Sequence, residues 1–249
     1  VDLAYKNNEN PKIAVEVLIG HNECNVIIET NVRIKKIDIV NILERITGSN
    51  KIKLNLKIVP QDEKLAKNQS ERIKCGDNGI CKGVPLNNLE KQISKLARKL
   101  YDNIPYDGKY ILTEDHLIVC QSNATNEKIQ NIINEVMDTT NLKIIINPLG
   151  EWEGGTNVDT GATNRKLGSD MAQSVTGGGI HGKDLSKADV SINIYAFKKA
   201  QETGKEVELF CAIGDDMIDG KPYNEIVDEA REYINNIGGF EKFAEWGLY

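Results

Sequence analysis

The chain has 249 residues, enough to bury a sizeable core as one large domain or as two or three small ones. With 40% hydrophobic and 27% charged residues it reads as a soluble globular protein, and its net charge of -6 argues against a general nucleic-acid binder, a class that is usually basic. No apolar run reaches the ~18 residues of a membrane span. No secretory signal peptide is recognisable either, so the expected location is cytoplasmic, away from membranes.

Five cysteines occur, Cys24, Cys75, Cys81, Cys120 and Cys211, an odd number without zinc-type spacing. Reduced, mostly buried thiols are expected. In chain order, Lys12–Gly20 and Cys24–Val32 read as the strands of a hairpin around His21-Asn22-Glu23. Ile37, Ile39, Val40, Leu43 and Ile46 then share one helical face. Ile52–Val59 alternates strictly and predicts a strand. Cys75–Gly79 is a turn-like acidic loop ahead of a helix at Asn88–Leu100.

The strand-strand-helix-strand order then recurs. Lys109–Leu112 and Leu117–Gln121 flank Glu114-Asp115, Asn126–Met137 is an amphipathic helix, and Leu142–Ile146 is a strand. A third, partial copy is expected from helices at Lys183–Gln201 and Tyr223–Asn236 around a strand at Val207–Ile213. The expected fold class is α/β (α+β), with similar modules packing helices on one sheet face and divided as 1–70, 71–147 and 148–249.

The Gly-rich stretch Ile146–Asp189 carries most of the chemical signal. Glycines let the backbone approach a ligand closely, and a triphosphate needs several cations. The candidate cations are Lys109, Arg165, Lys166, Lys183 and Lys187. Lys183 and Lys187 are four apart, on one face near the start of the predicted helix, where the dipole favours anions. Asp189 is placed to reach a divalent metal. Any one of these lysines alone would read as a solvated surface charge; their clustering in an acidic chain favours the ligand. Trp152 offers a ring for a purine, or one packed over a loop. No Walker A or GxGxxG motif occurs, and His21, His116 and His181 have no spacing that suits a metal or a nucleophilic triad.

Several pieces then line up in order. Gly76-Asp77-Asn78-Gly79 resembles a GAGDQG loop, and Asp107-Gly108-Lys109 resembles a DxK segment. Ile146-Asn147-Pro148 through Asp159 and Thr163-Asn164-Arg165-Lys166 resemble INPTGRFVIGG and LTGRK. Gly177–Asp189 resembles GGGAFSGKDPSKVD, and Ala212-Ile213-Gly214 matches AIG. Glu16 and Glu29 have the spacing of a first hairpin with two acids. Together they are similar to the S-adenosylmethionine synthetase (methionine adenosyltransferase) family.

That resemblance implies three similar α/β subdomains in a pseudo-threefold arrangement. It also implies a homodimer, or a tetramer built from it, with active sites between subunits. The implied reaction joins L-methionine to ATP, displaces triphosphate, and hydrolyses it to pyrophosphate and phosphate. The catalytic phosphate grip would be Lys109, Arg165, Lys183 and Lys187. Asp77, Asp107, Trp152 and Lys166 would add nucleotide contacts. Methionine would meet Glu29, Gln61, Asp159 and Ile213. Asp189 would bind Mg2+ and Glu16 would help hold K+. Departures are Glu151 where the family has Arg, a shortened stretch between Lys166 and Lys183, and no counterpart of the family's GHPDK segment in a sequence that begins at Val1. These suggest a short, divergent member. The alternative is a catalytically impaired synthetase-like subunit that binds nucleotide or pairs with a complete synthetase.

Overall fold

A computed structural model describes residues 1–68, 73–158 and 182–248. Helix α1 (Asp2–Asn7) leads into strands β1 (Ile13–Gly20) and β2 (Glu23–Thr30). Both residues of the turn between them have positive φ, His21 at 50° and Asn22 at 61°. A two-residue hairpin turn requires this conformation if its twist is to match the strands. Helix α2 (Lys36–Thr47) crosses to β3 (Lys53–Pro60), which pairs with β2 in parallel while β1 pairs with it antiparallel. Along β2, Cys24, Val26, Ile28 and Thr30 are buried, and Glu23, Asn25, Ile27 and Glu29 are exposed. The alternation follows from the two-residue period of a strand and faces Glu29 away from the core. Helix α3 (Glu63–Asn68) follows.

Beyond it come β4 (Gly79–Gly83) and helix α4 (Asn88–Asn103), whose start carries a reciprocal Asn87–Glu90 capping box. Strands β5 (Gly108–Leu112) and β6 (His116–Gln121), helix α5 (Asn126–Val136) and strand β7 (Lys143–Ile146) then repeat the first unit's pattern. β5 is antiparallel to β6, and β7 is parallel to it. Its core holds Leu96, Leu100, Leu117, Val119, Ile129 and Ile133.

The last unit is built differently. Helix α6 (Ala188–Thr203) is followed by β8 (Val207–Cys211), a short hairpin of β9 (Met217–Ile218) and β10 (Lys221–Pro222), and helices α7 (Tyr223–Ile237) and α8 (Phe240–Trp246). β8 pairs antiparallel with β4, which lies in the stretch read from sequence as central. α6 buries Val190, Ile192, Ile194, Ala196, Phe197 and Ala200, with the polar Ser191 and Asn193 buried beside them, at the middle of its core. β4 crosses it so closely that a Cβ on Gly83 would lie 2.1 Å from the Ala196 carbonyl oxygen. Gly83→Ala is therefore expected to destabilise by about 1–3 kcal/mol through forced repacking. Denaturant unfolding reads it, and an unchanged midpoint would mean that the helix retreats freely.

Two expectations need correction. The helix expected from Lys183 begins at Ala188, with Lys187 as its N-cap residue. The reason is Asp184, whose carboxylate accepts from the Ile13 amide and ties the segment to β1, leaving Lys183 in an isolated bridge with Ala14. Lys183 and Lys187 therefore do not share a helical face. The strand expected to reach Ile213 stops at Cys211, because the Asp215 carboxylate accepts from the Ala212 amide and closes a turn.

Helix α8 ties the units together. The Asp2 carboxylate accepts from the Phe240 and Glu241 amides, Arg45 makes a two-pronged ion pair with Glu241, and Trp246 packs on the central core under Arg98.

Candidate functional site

The tightest convergence of candidate residues joins three segments of the last unit: the 75–79 loop, the 182–189 segment and the 212–215 turn. The Gly76 amide donates to the Ser186 carbonyl (3.0 Å), and a Cβ at Gly76 would sit 2.9 Å from that oxygen. Only glycine fits so close an approach. It brings the Lys187 ammonium to 3.5 Å from the carbonyl of Gly76, the residue before Asp77. Two residues on, Asp189 Oδ2 pairs with Lys183 Nζ at 2.5 Å, and both side chains are largely buried. Asp189 Oδ1 is also buried and has no hydrogen-bond partner among the described residues. On the other flank, the Ile213 amide donates to Asn78 Oδ1 (2.8 Å). The segment that carries Lys183, Lys187 and Asp189, and the turn that carries Ile213, thus each meet the loop that carries Asp77.

A second group lies at the open end of the central sheet. The Asp107 carboxylate accepts from the Gly155 amide at 2.7 Å, and the Gly154 amide donates to Asn123 Oδ1 at 2.7 Å. A Cβ on Gly154 would meet Asp107 at 2.3 Å, so the 152–155 segment is laid onto Asp107 only because it is glycine. Trp152 donates through its indole nitrogen to Asn147 and remains 42% exposed as a residue. Lys109 is exposed on β5, opposite Cys120. Glu151, where the resemblance expected Arg, accepts from the Asn126 amide at the start of α5.

The third group is on the first sheet. Glu16 and Glu29 are exposed on β1 and β2, and the Gln61 amide donates to the Thr30 carbonyl. Gln61 Oε1 is buried without a partner among the described residues. The pairing of Val15 with Gly182 and of Ala14 with Lys183 brings the start of the 182–189 segment against β1, next to Glu16. Asp159, Arg165 and Lys166 lie outside the described residues, as does His181.

A cavity of about 1030 Å3 lies between the first sheet, α2 and α8. Its walls are chiefly apolar, including Ile13, Val26, Ile28, Leu43 and Phe243, and of the candidate residues only Glu16 and Lys183 reach it. The other described candidate residues lie outside it. Thiol chemistry does not compete at the loops, since burial pushes both Cys75 and Cys81 up to about 12, where each is protonated at neutral pH. His21 stands in a turn, and His116 pairs with Asp115 at the surface.

Sequence reading missed Asn78, Asn123 and Asn147. The last two have φ of 56° and 41°, and asparagine is the residue type enriched in that region, so the signal was residue identity at a strand end.

Among solved structures, the chain matches one described as an unusual S-adenosylmethionine synthetase from Campylobacter jejuni, with a TM-score of 0.65. The match covers 94% of this chain and 80% of that one at 19% sequence identity. The chain has a synthetase-like fold. No protein-family model matches the sequence, and no curated protein does. Among the described residues, no helix is long and apolar enough to cross a membrane.

Proposed function

We propose that the protein makes S-adenosylmethionine from ATP and L-methionine. One observation carries this reading: in a synthetase-like fold, the 182–189 segment that holds Lys183, Lys187 and Asp189 and the 212–215 turn that holds Ile213 are both hydrogen-bonded to the 75–79 loop that holds Asp77. The methionine sulfur attacks C5′ of the ribose, a C–S bond forms, and the C5′–O bond breaks to release triphosphate. A neutral thioether is a modest nucleophile. Catalysis therefore rests on alignment and on stabilising the charge that grows on the leaving group. Lys183 and Lys187, joined by Lys109, Arg165 and Lys166, would hold that charge, and then the triphosphate during its hydrolysis to pyrophosphate and phosphate. Trp152 would stack on adenine, with Asp77 and Asp107 lining the nucleotide. Glu29, Gln61 and Asp159 would take the methionine ammonium and carboxylate, and Ile213 its side chain.

The buried, unpartnered Asp189 Oδ1 fits a cation. Among the described residues no group of three or more His, Cys, Asp or Glu makes a closed metal cage. Mg2+ suits such an arrangement, because it is commonly held by one or two carboxylates plus substrate phosphates. Asp189 would hold Mg2+, which when bound neutralises polyphosphate charge, and Glu16 would contribute to a K+ site. We assign the acting form as a cytoplasmic homodimer, with a tetramer built from it as the further step. The exposed apolar side chains on the sheets support this: Val17, Ile27 and Ile58 on the first, Ile111 on the central, and the cross-strand pair Ile80–Phe210 on the last.

Incubation with ATP, methionine, Mg2+ and K+ should yield S-adenosylmethionine, pyrophosphate and phosphate together. No product and no phosphate release would overturn the reading. Activity that appears only on adding a second, complete synthetase would favour the impaired-subunit alternative.

A further inference from the structure

We propose that Asn78 is a positioning residue for the thioether substrate, acting through Ile213; this rests on the functional reading above. Ile213 is an isoleucine left 66% exposed at a turn. An apolar side chain in water has no reason of its own to hold one orientation, yet its backbone is held from both sides. The Gly214 amide donates to the Cys75 carbonyl (2.8 Å), and the Cys75 amide donates to the Asp215 carbonyl (3.1 Å). The Asp215 carboxylate accepts from the Ala212 amide (2.8 Å), and Gly214 supplies the positive φ of 93° that the turn needs.

The remaining donor of the turn is the Ile213 amide itself. It donates to the Asn78 side chain, the one side chain that reaches across from the 75–79 loop to this residue. The bond also assigns the Asn78 amide group. Its oxygen must face Ile213 to accept, which leaves its NH2 group as a donor. Asn78 adjoins Asp77, whose carboxylate accepts from the Asn78 amide. One residue therefore locks the apolar wall for the methyl thioether to the loop that lines the nucleotide. The two substrates must meet within a fraction of an ångström for sulfur to attack carbon, and a lock between their two walls serves that alignment.

The test uses Asn78→Ala and Asn78→Asp in the full chain. In Asn78→Ala the Ile213 amide loses its acceptor, so its hydrogen exchange should quicken. The methionine KM should rise about tenfold, the worth of roughly one hydrogen bond. ATP KM should change less than about twofold, and Tm should hold. Asn78→Asp keeps an acceptor oxygen, so it should restore Ile213 protection and the methionine KM. Its added charge is read separately, in the ATP KM. An unchanged methionine KM in Asn78→Ala despite a freed Ile213 amide would overturn the proposal. So would a similar rise of both KM values together with a fall of kcat and Tm. If the wild type makes no S-adenosylmethionine, the functional reading fails first. Calorimetry with methionine then decides the positioning claim: about tenfold weaker binding in Asn78→Ala supports it, and equal or absent binding in both proteins sinks it.

Discussion

Replacing Asp184 with alanine is expected to lower the unfolding free energy by about 3–5 kcal/mol, the usual consequence of removing one partner of a buried ion pair. Asp184 is 1% exposed and Lys12 is 7% exposed, with their charged atoms 4.0 Å apart. Burial drives the Lys12 ammonium below its ordinary range, repulsion from Lys187 pushes the same way, and Asp184 opposes both. Without the carboxylate, a buried cation loses its counter-charge. Three other donors lose their acceptor as well: the Ile13 amide at 2.9 Å, the Ser186 amide at 2.9 Å, and the Ser186 hydroxyl at 2.5 Å. An orphaned buried donor costs its full desolvation. Asp184→Asn retains an acceptor for Ile13 and should lose distinctly less. Denaturant unfolding measures both, and a loss below about 1 kcal/mol for the alanine variant would show that the clamp between β1 and the 182–186 segment is dispensable.

Lys187→Ala should do the opposite: abolish most activity without lowering stability. Its ammonium stands at the start of α6 beside the 75–79 loop, where the leaving triphosphate would develop its charge. Loss of one such contact is expected to lower kcat by about 10²–10³. Yet Lys187 also repels the buried Lys12. Removing a cation from a cationic cluster relieves that repulsion, so Tm should hold or rise, as at sites where function opposes stability. Lys187→Arg keeps the charge and should recover part of the rate. Retained kcat with a fallen Tm would assign Lys187 to structure and remove it from the phosphate grip. These two neighbours on one segment should therefore separate cleanly, Asp184 holding the fold and Lys187 the chemistry.

Local pattern carried much of the architecture. The hairpin reading of Lys12–Gly20 and Cys24–Val32, the alternation in Ile52–Val59 and the helical stripe of Ile129, Ile132 and Ile133 match β1, β2, β3 and α5. A strand or helix period is set by neighbours two to four residues apart, so it can be read without knowing the partner. The order of Gly76-Asp77-Asn78-Gly79, Asp107-Gly108-Lys109 and Ala212-Ile213-Gly214 likewise pointed to the synthetase-like fold seen in the structural match. What pattern could not decide was which distant segments meet. β4 pairs with β8 between residues 132 apart in the chain, and nothing in Gly79–Gly83 names that partner. The false start of α6 at Lys183 has the same origin. Helix-compatible spacing was present, but a hydrogen bond from Ile13, 171 residues away, held Asp184 extended.

The sequence by itself determined most of the longer elements and the types of charged residue available, because both are local properties; α1, α3, β4, β9, β10 and α8 were not read from it. Only the tertiary structure decided that the segments carrying Lys187, Asp189 and Ile213 meet the loop carrying Asp77, that Asp184 is a buried clamp, and that Asn78 holds Ile213. Each of those depends on long-range packing that brings a donor to an acceptor, and no spacing along the chain encodes such a meeting.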